Sequence, residues 1–352
     1  MTTRRFRVSF FQSKSPSFPF SYLILMFYRV IFFVVIFLIF ACNQGSNWYY
    51  DLPKHFPRPN YALKLDPDKF ELGKQLFFDP IFSKDSTISC ASCHRQDFAF
   101  SDSRPFSQGV RGQLGKRNAP ALQNLMWSKS FFWDGGVGNI DLIPLNPITN
   151  VKELDESMPN IVYKINRAKT YSVLAKKMFQ SDTLNSYQLL EALTHFQAAL
   201  ISDRSKFDYY IQGKVKLNAD EMQGYQIFQT KCGQCHEGHL QSNYSFRNNG
   251  IYKPSDTDLG RYEISLIESD KGKFKVPSLR NVELTAPYMH NSTLASLEEV
   301  LNHYEKGINF SPSLDSSLKN GISFQVGEKE KIIVFLKTLT DREFLKNEMY
   351  KR

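Results

Sequence analysis

The sequence has no cysteine to spare. Its five cysteines are Cys42 and two Cys-x-x-Cys pairs, Cys90/Cys93 and Cys232/Cys235, which leaves none for structural disulfides. Acids are absent from residues 1 to 41, which carry the five bases Arg4, Arg5, Arg7, Lys14 and Arg29. With those set aside, 39 Lys and Arg face 35 Asp and Glu, an excess too small and too dispersed to argue for nucleic acid as a partner. The βαβ pattern that a thioredoxin-like dithiol wants around its Cys-x-x-Cys is also missing. What remains is a 352-residue chain with 42% hydrophobic residues, enough for one large domain or two ordinary ones and not a disordered polymer.

The bases at the N-terminus precede the unbroken apolar run Val30 to Ala41, and Cys42 follows at once. Residues 1–42 therefore read as an address: a lipoprotein-type signal ending at a lipidated Cys42, or an uncleaved anchor over Phe18 to Ala41. A start at Met26 would give a conventional signal of the first kind. Either reading places the body of the protein outside the cytoplasm, periplasmic and tied to a membrane.

Beyond a linker at 43–65, one plan occurs twice. Glu71 to Phe77 and Glu221 to Phe228 look like short amphipathic helices with a Gly on one face. Each leads to Cys-x-x-Cys-His, then a long Gly-, Pro- and Asn-rich loop, then a strong closing helix. The closing helices carry Leu189, Leu190, Leu193, Phe196, Ala199 and Leu200 in the first unit, and Ile332, Phe335, Leu336 and Leu339 in the second. The expected architecture is all-α, with two cytochrome c-like domains at 66–205 and 206–345 whose long loops wrap a cofactor.

In Cys-x-x-Cys-His the thiols form thioethers to a haem and the histidine binds its iron, so Cys90, Cys93 and His94 mark one c-type haem and Cys232, Cys235 and His236 a second. A zinc site would draw the doublets together on one ion, whereas these lie 142 positions apart in two copies of one plan.

Longer motifs surround these two. They are Leu76-Phe77-Phe78-Asp79-Pro80, Arg117-Asn118-Ala119-Pro120, Phe132-Trp133-Asp134-Gly135 and Leu284-Thr285-Ala286-Pro287-Tyr288-Met289-His290. With the first Cys motif they make the chain, from Leu76 to about Leu339, resemble the bacterial di-haem cytochrome c peroxidases and their MauG-type relatives.

The resemblance implies that hydrogen peroxide reacts at the N-terminal haem and that the C-terminal haem takes electrons from a small periplasmic cytochrome c or copper protein. It makes Glu153 the catalytic acid–base group and Trp133 the aromatic bridge between haems. It assigns Asn118, Thr285 and Pro287 to a Ca2+ ion between the domains, and it allows a homodimer.

Three departures accompany it. Val110 stands where typical members place a histidine that blocks the first iron, so that iron should be open unless a residue such as His55 reaches it. Ile143 replaces a pocket glutamine. Tyr304 replaces the methionine ligand of the second haem, as in MauG-type proteins, with Met289 and His303 as nearby competitors. The expected reaction is reduction of peroxide to water. The rivals are a MauG-type oxidase acting on a protein or organic substrate, and a di-haem electron carrier with both irons closed.

Overall fold

The computed structural model describes residues 52–352, so the N-terminal address and Cys42 lie outside the described residues. Five helices carry the architecture: α1 (Pro67–Phe78), α2 (Ser186–Ala198), α3 (Ala219–Cys232), α4 (Leu297–Lys306) and α5 (Glu328–Lys337). Local chemistry explains where they start. Asp66 caps α1 by accepting from Lys69 N, with Pro67 in the first turn, where its missing N–H costs nothing. Asn218 and Glu221 close a capping box on α3. Among the described residues no helix is long and apolar enough to cross a membrane.

The repeat is structural as well as sequential. α1 crosses α2 at Gly73 and α3 crosses α5 at Gly224. A side chain on Gly73 would strike the Ala192 carbonyl and lie 3.0 Å from Phe196 Cβ, and one on Gly224 would strike the Lys331 carbonyl and lie 3.0 Å from Phe335 Cβ. Both crossings therefore need a residue without a Cβ. Around the first, the Phe70 and Phe77 rings sit 5.5 and 4.9 Å from Phe196. Around the second, Phe207 and Phe228 sit 5.3 and 5.0 Å from Phe335. The closing-helix residues are buried as the periodicity expects, Leu190 alone among them half-exposed in the first set.

The molecule is mostly helical, and the long loops run as short 3-10 turns and bends. One departure from all-α is a two-residue antiparallel pair, β1 (Phe246–Arg247) with β2 (Phe274–Lys275), which ties the two ends of the second loop together. The chain beyond α5 turns back onto the first half, where the Gln96 amide donates to Phe344 O at 3.1 Å and Tyr350 OH to Ala199 O at 2.9 Å. A buried polar seam joins the halves further. Asn281 donates to Gln123, and Ser202 Oγ to Asp341 at 3.0 Å. Arg117 binds Asp134 and, at 2.6 Å, Asp258.

Candidate functional site

The two Cys-x-x-Cys-His motifs are reached differently. α3 runs straight into Cys232, whereas α1 stops at Phe78 and Cys90 opens a separate 3-10 turn over Cys90–Ser92. They nevertheless converge on one geometry. The histidine N–H donates to the first cysteine's carbonyl, at 2.9 Å from His94 to Cys90 and 3.0 Å from His236 to Cys232. Each ring then turns the same way, with Nδ1 of His94 2.8 Å from Phe100 O and Nδ1 of His236 3.0 Å from Gln241 O. A carbonyl accepts only from a protonated nitrogen, so the Nδ1 contact puts the lone pair on Nε2, the state an iron ligand needs.

All four thiols are free. Burial pushes both Cys90 and Cys232 up to about 12 and raises Cys93 and Cys235 as well. A redox dithiol works through a stabilised thiolate and needs the opposite shift, so these pairs suit thioether attachment. Among the described residues no three metal-binding side chains gather, and the two doublets do not converge on a shared ion.

A cavity of about 290 Å³ opens beside the second motif, walled by Cys232, Cys235, His236 and apolar side chains such as Val282, Leu301 and Leu336. Tyr304, Met289, Trp133, Asn118, Thr285 and Pro287 line it too, so the structure brings these sequence candidates together. Burial pushes the Tyr304 phenol up to about 12 despite a hydrogen bond from Asn249. Asn249 also donates to Met289 Sδ at 3.2 Å, which puts both candidate ligands on one amide. His303 is turned elsewhere: its Nε2 meets Asn249 O at 2.9 Å.

Trp133 donates from Nε1 to Asn118 O at 2.8 Å, and the Asn118 side-chain amide to Pro287 O at 3.2 Å. Asn118 and Pro287 are thus adjacent, but an N–H rather than the amide oxygen faces the carbonyl. Thr285 is close in sequence, its hydroxyl 3.4 Å from Val282 O.

Glu153 lies near the first motif, close enough that its charge acts on both Cys90 and Cys93. The backbone there is packed tightly: Val110 N donates to Glu153 O at 2.9 Å, and a side chain on Gly109 would collide with Lys152 and Glu153. Burial raises the Glu153 carboxyl above its ordinary value, opposed by the Asn150 amide, which donates to Oε1 at 2.7 Å. Val110 and Ile143 are both buried. His55 does not approach this site, because its Nε2 pairs with Asp208 at 3.2 Å.

The residues present fit a c-type haem at the second motif. Free thiols, an Nε2 lone pair and an apolar cavity coincide there, and Arg280 on the wall keeps a fully buried Nε without a partner. Sequence reasoning missed Asn150, Asn249, Lys275 and Arg280. Asn150 alone had a signal, since Asn commonly closes an Asx turn on the N–H two residues on; here its Oδ1 accepts from Lys152 N at 3.0 Å.

Comparison with known proteins agrees with this geometry. The profile of a family described as di-haem cytochrome c peroxidase matches residues 67–216. Cytochrome c551 peroxidase of Nitrosomonas europaea is 35% identical over 278 residues, 78% of this chain and 80% of that one. Methylamine utilization protein MauG of Methylorubrum extorquens is 33% identical over 293 residues, 82% of each chain. Among solved structures, a MauG-like protein associated with microbial copper homeostasis superposes with a TM-score of 0.79 at 29% identity, covering 86% of this chain and 98% of that one.

Proposed function

We propose, from the premise that this chain belongs to the di-haem cytochrome c peroxidase family, that it reduces hydrogen peroxide to water with electrons from a small cytochrome c or copper protein. The observation that carries the reading is a half-buried carboxylate, Glu153, beside the first haem motif, where Val110 supplies no side-chain nitrogen to close the site. Residues 66–205 would form the peroxidatic domain and residues 206–345 the electron-transfer domain. Two c-type haems, held by Cys90, Cys93 and His94 and by Cys232, Cys235 and His236, would supply an iron that accepts peroxide and a second that stores electrons.

The chain's own part is proton handling and positioning. Glu153 Oε1 is occupied by the Asn150 amide, so Oε2 is free to take a proton from one peroxide oxygen and return it to the other, which leaves as water. A raised carboxyl is better matched to both halves of that transfer than an ordinary one. Ile143 offers no hydrogen bond, so orientation of peroxide falls to Glu153. Trp133, on the wall of the second cavity and bonded through Nε1 to Asn118 O, would shorten the path between the halves. Asn118, Thr285 and Pro287 would hold Ca2+ once the Asn118 amide turns its oxygen inward. Outside the described residues, a lipidated Cys42 or an uncleaved anchor would hold the protein at a membrane in the periplasm.

Tyr304 in the wall of the His236 cavity favours a second reading, a MauG-type oxidase acting on a protein or organic substrate. Steady-state turnover of peroxide with a reduced small cytochrome c decides between them. Turnover well above free haem supports the peroxidase, and turnover no faster than free haem rejects it.

A further inference from the structure

Lys275 is an unusual wall for an apolar cavity. It stands on β2 with its N–H on Trp133 O at 2.7 Å, so its backbone is tied to the aromatic bridge. Its half-buried ammonium bonds to neutral oxygens, Ser130 O at 2.8 Å and Ser128 Oγ at 3.3 Å, and lies over the Tyr244 ring at 5.9 Å, with no carboxylate bonded to it. The acid that acts on it, Asp134, is engaged by Arg117. Burial without a counter-charge brings this lysine down to about 8.

Arg280, five residues on and also on the wall, shows a matching deficit. Its Nη atoms are spent on Asp208 and on His239 O at 2.9 Å, while Nε is buried and bonded to nothing. The wall of one cavity thus carries an ammonium with no carboxylate bonded to it and an orphaned charged N–H donor, and an anion would complete both.

We infer that Lys275, assisted by Arg280 Nε, binds the carboxylate groups of the haem carried by Cys232, Cys235 and His236, and so sets that haem's reduction potential. The inference rests on the proposed attachment of a c-type haem at this motif. A haem carries carboxylates at one edge, and they are the anion class the two donors lack. A fixed ammonium beside the group disfavours its more positive, oxidised state, so Lys275 holds the potential up and eases electron entry.

The test is an equilibrium redox titration of the holoprotein, followed optically at both haems, after mass measurement has counted two haems per chain. Lys275→Met should shift the second haem's midpoint to lower potential and leave the first in place. Lys275→Arg, which keeps the charge, should restore most of the shift. Two bound haems with neither midpoint moved by Lys275→Met would overturn the inference and leave the proposed reaction standing. No haem at Cys232 and Cys235 in the unaltered protein would overturn the inference together with its premise. A shifted midpoint in a protein without peroxide turnover would uphold this role while the proposed reaction fails.

Discussion

Replacing Glu153 with Gln removes a proton acceptor and almost nothing else. The amide is isosteric, its Oε1 can still accept from Asn150 at the 2.7 Å contact, and the neighbouring backbone contact from Val110 N to Glu153 O is untouched. The loss should therefore be the acid–base contribution alone, about 10²–10⁴-fold in kcat/KM for peroxide, which is about 2.7–5.4 kcal/mol of barrier. Stopped-flow reaction of the fully haem-loaded protein with peroxide measures it. Stability should move the other way. Because burial raises the folded-state value of Glu153, the wild type keeps this group's stabilising contribution below the ordinary carboxyl value and loses it as pH rises through the raised one. At neutral pH Glu153→Gln should accordingly unfold at a higher temperature than wild type. Activity of the wild type should fall on acidification, through a midpoint above the ordinary carboxylate value. Asn150→Ala, by deleting the hydrogen bond that opposes the shift, should move that limb to higher pH. An unchanged kcat/KM in Glu153→Gln would remove the carboxylate from the mechanism.

Tyr304→Phe should alter the optical and resonance spectrum of the second haem only; if both spectra stay as in wild type, Tyr304 is no ligand and Met289 becomes the candidate. Gly224→Ala should destabilise by about 1–3 kcal/mol through overpacking, because its Cβ meets the rigid Lys331 carbonyl; calorimetry showing no loss would mean that the α3–α5 crossing can widen freely. Val110→His should close the first iron, giving a low-spin oxidised spectrum and a protein that needs prior reduction before it reacts with peroxide. A high-spin first haem in that variant would show that the loop does not aim position 110 at the iron.

Some of this was legible in the chain because it is local. Cys-x-x-Cys-His and the few residues after it set its ring and thiols, and the two motifs reach the same Nδ1–carbonyl contact although one follows a helix and the other a 3-10 turn. The leader-helix glycines could be read as close crossings, since a Gly on an amphipathic face has few other uses. The rest depends on which distant segments meet. Nothing around Lys275 distinguishes a buried ammonium from a solvated one; that follows from Ser128 and Ser130, nearly 150 positions away, closing over it. His303 and Tyr304 are neighbours, and only the placement of Asn249 assigns one to a carbonyl and the other to the cavity. His55 likewise lost its candidacy to Asp208, which sequence could not place beside it.

The two sites are alike at the histidine and unlike beyond it, and burial explains why that difference matters. Burial raises both Glu153 and Tyr304, but from opposite sides of neutrality. A carboxyl raised from below becomes better able to exchange a proton in the working range, which suits a site where an oxygen must leave as water. A phenol raised to about 12 becomes less able to ionise, so by itself Tyr304 is an inert wall. It can serve as an anionic ligand only if a cation beside it makes up the cost of burying a phenolate, and it would then favour the oxidised state of that cation. Lys275, also in the wall of that cavity, acts in the contrary sense. With Tyr304 as the ligand, the second site would be a balance, a hard oxygen donor holding the potential down and the Lys275 ammonium holding it up, whereas the first would rely on one carboxylate and the absence of a competing nitrogen at position 110.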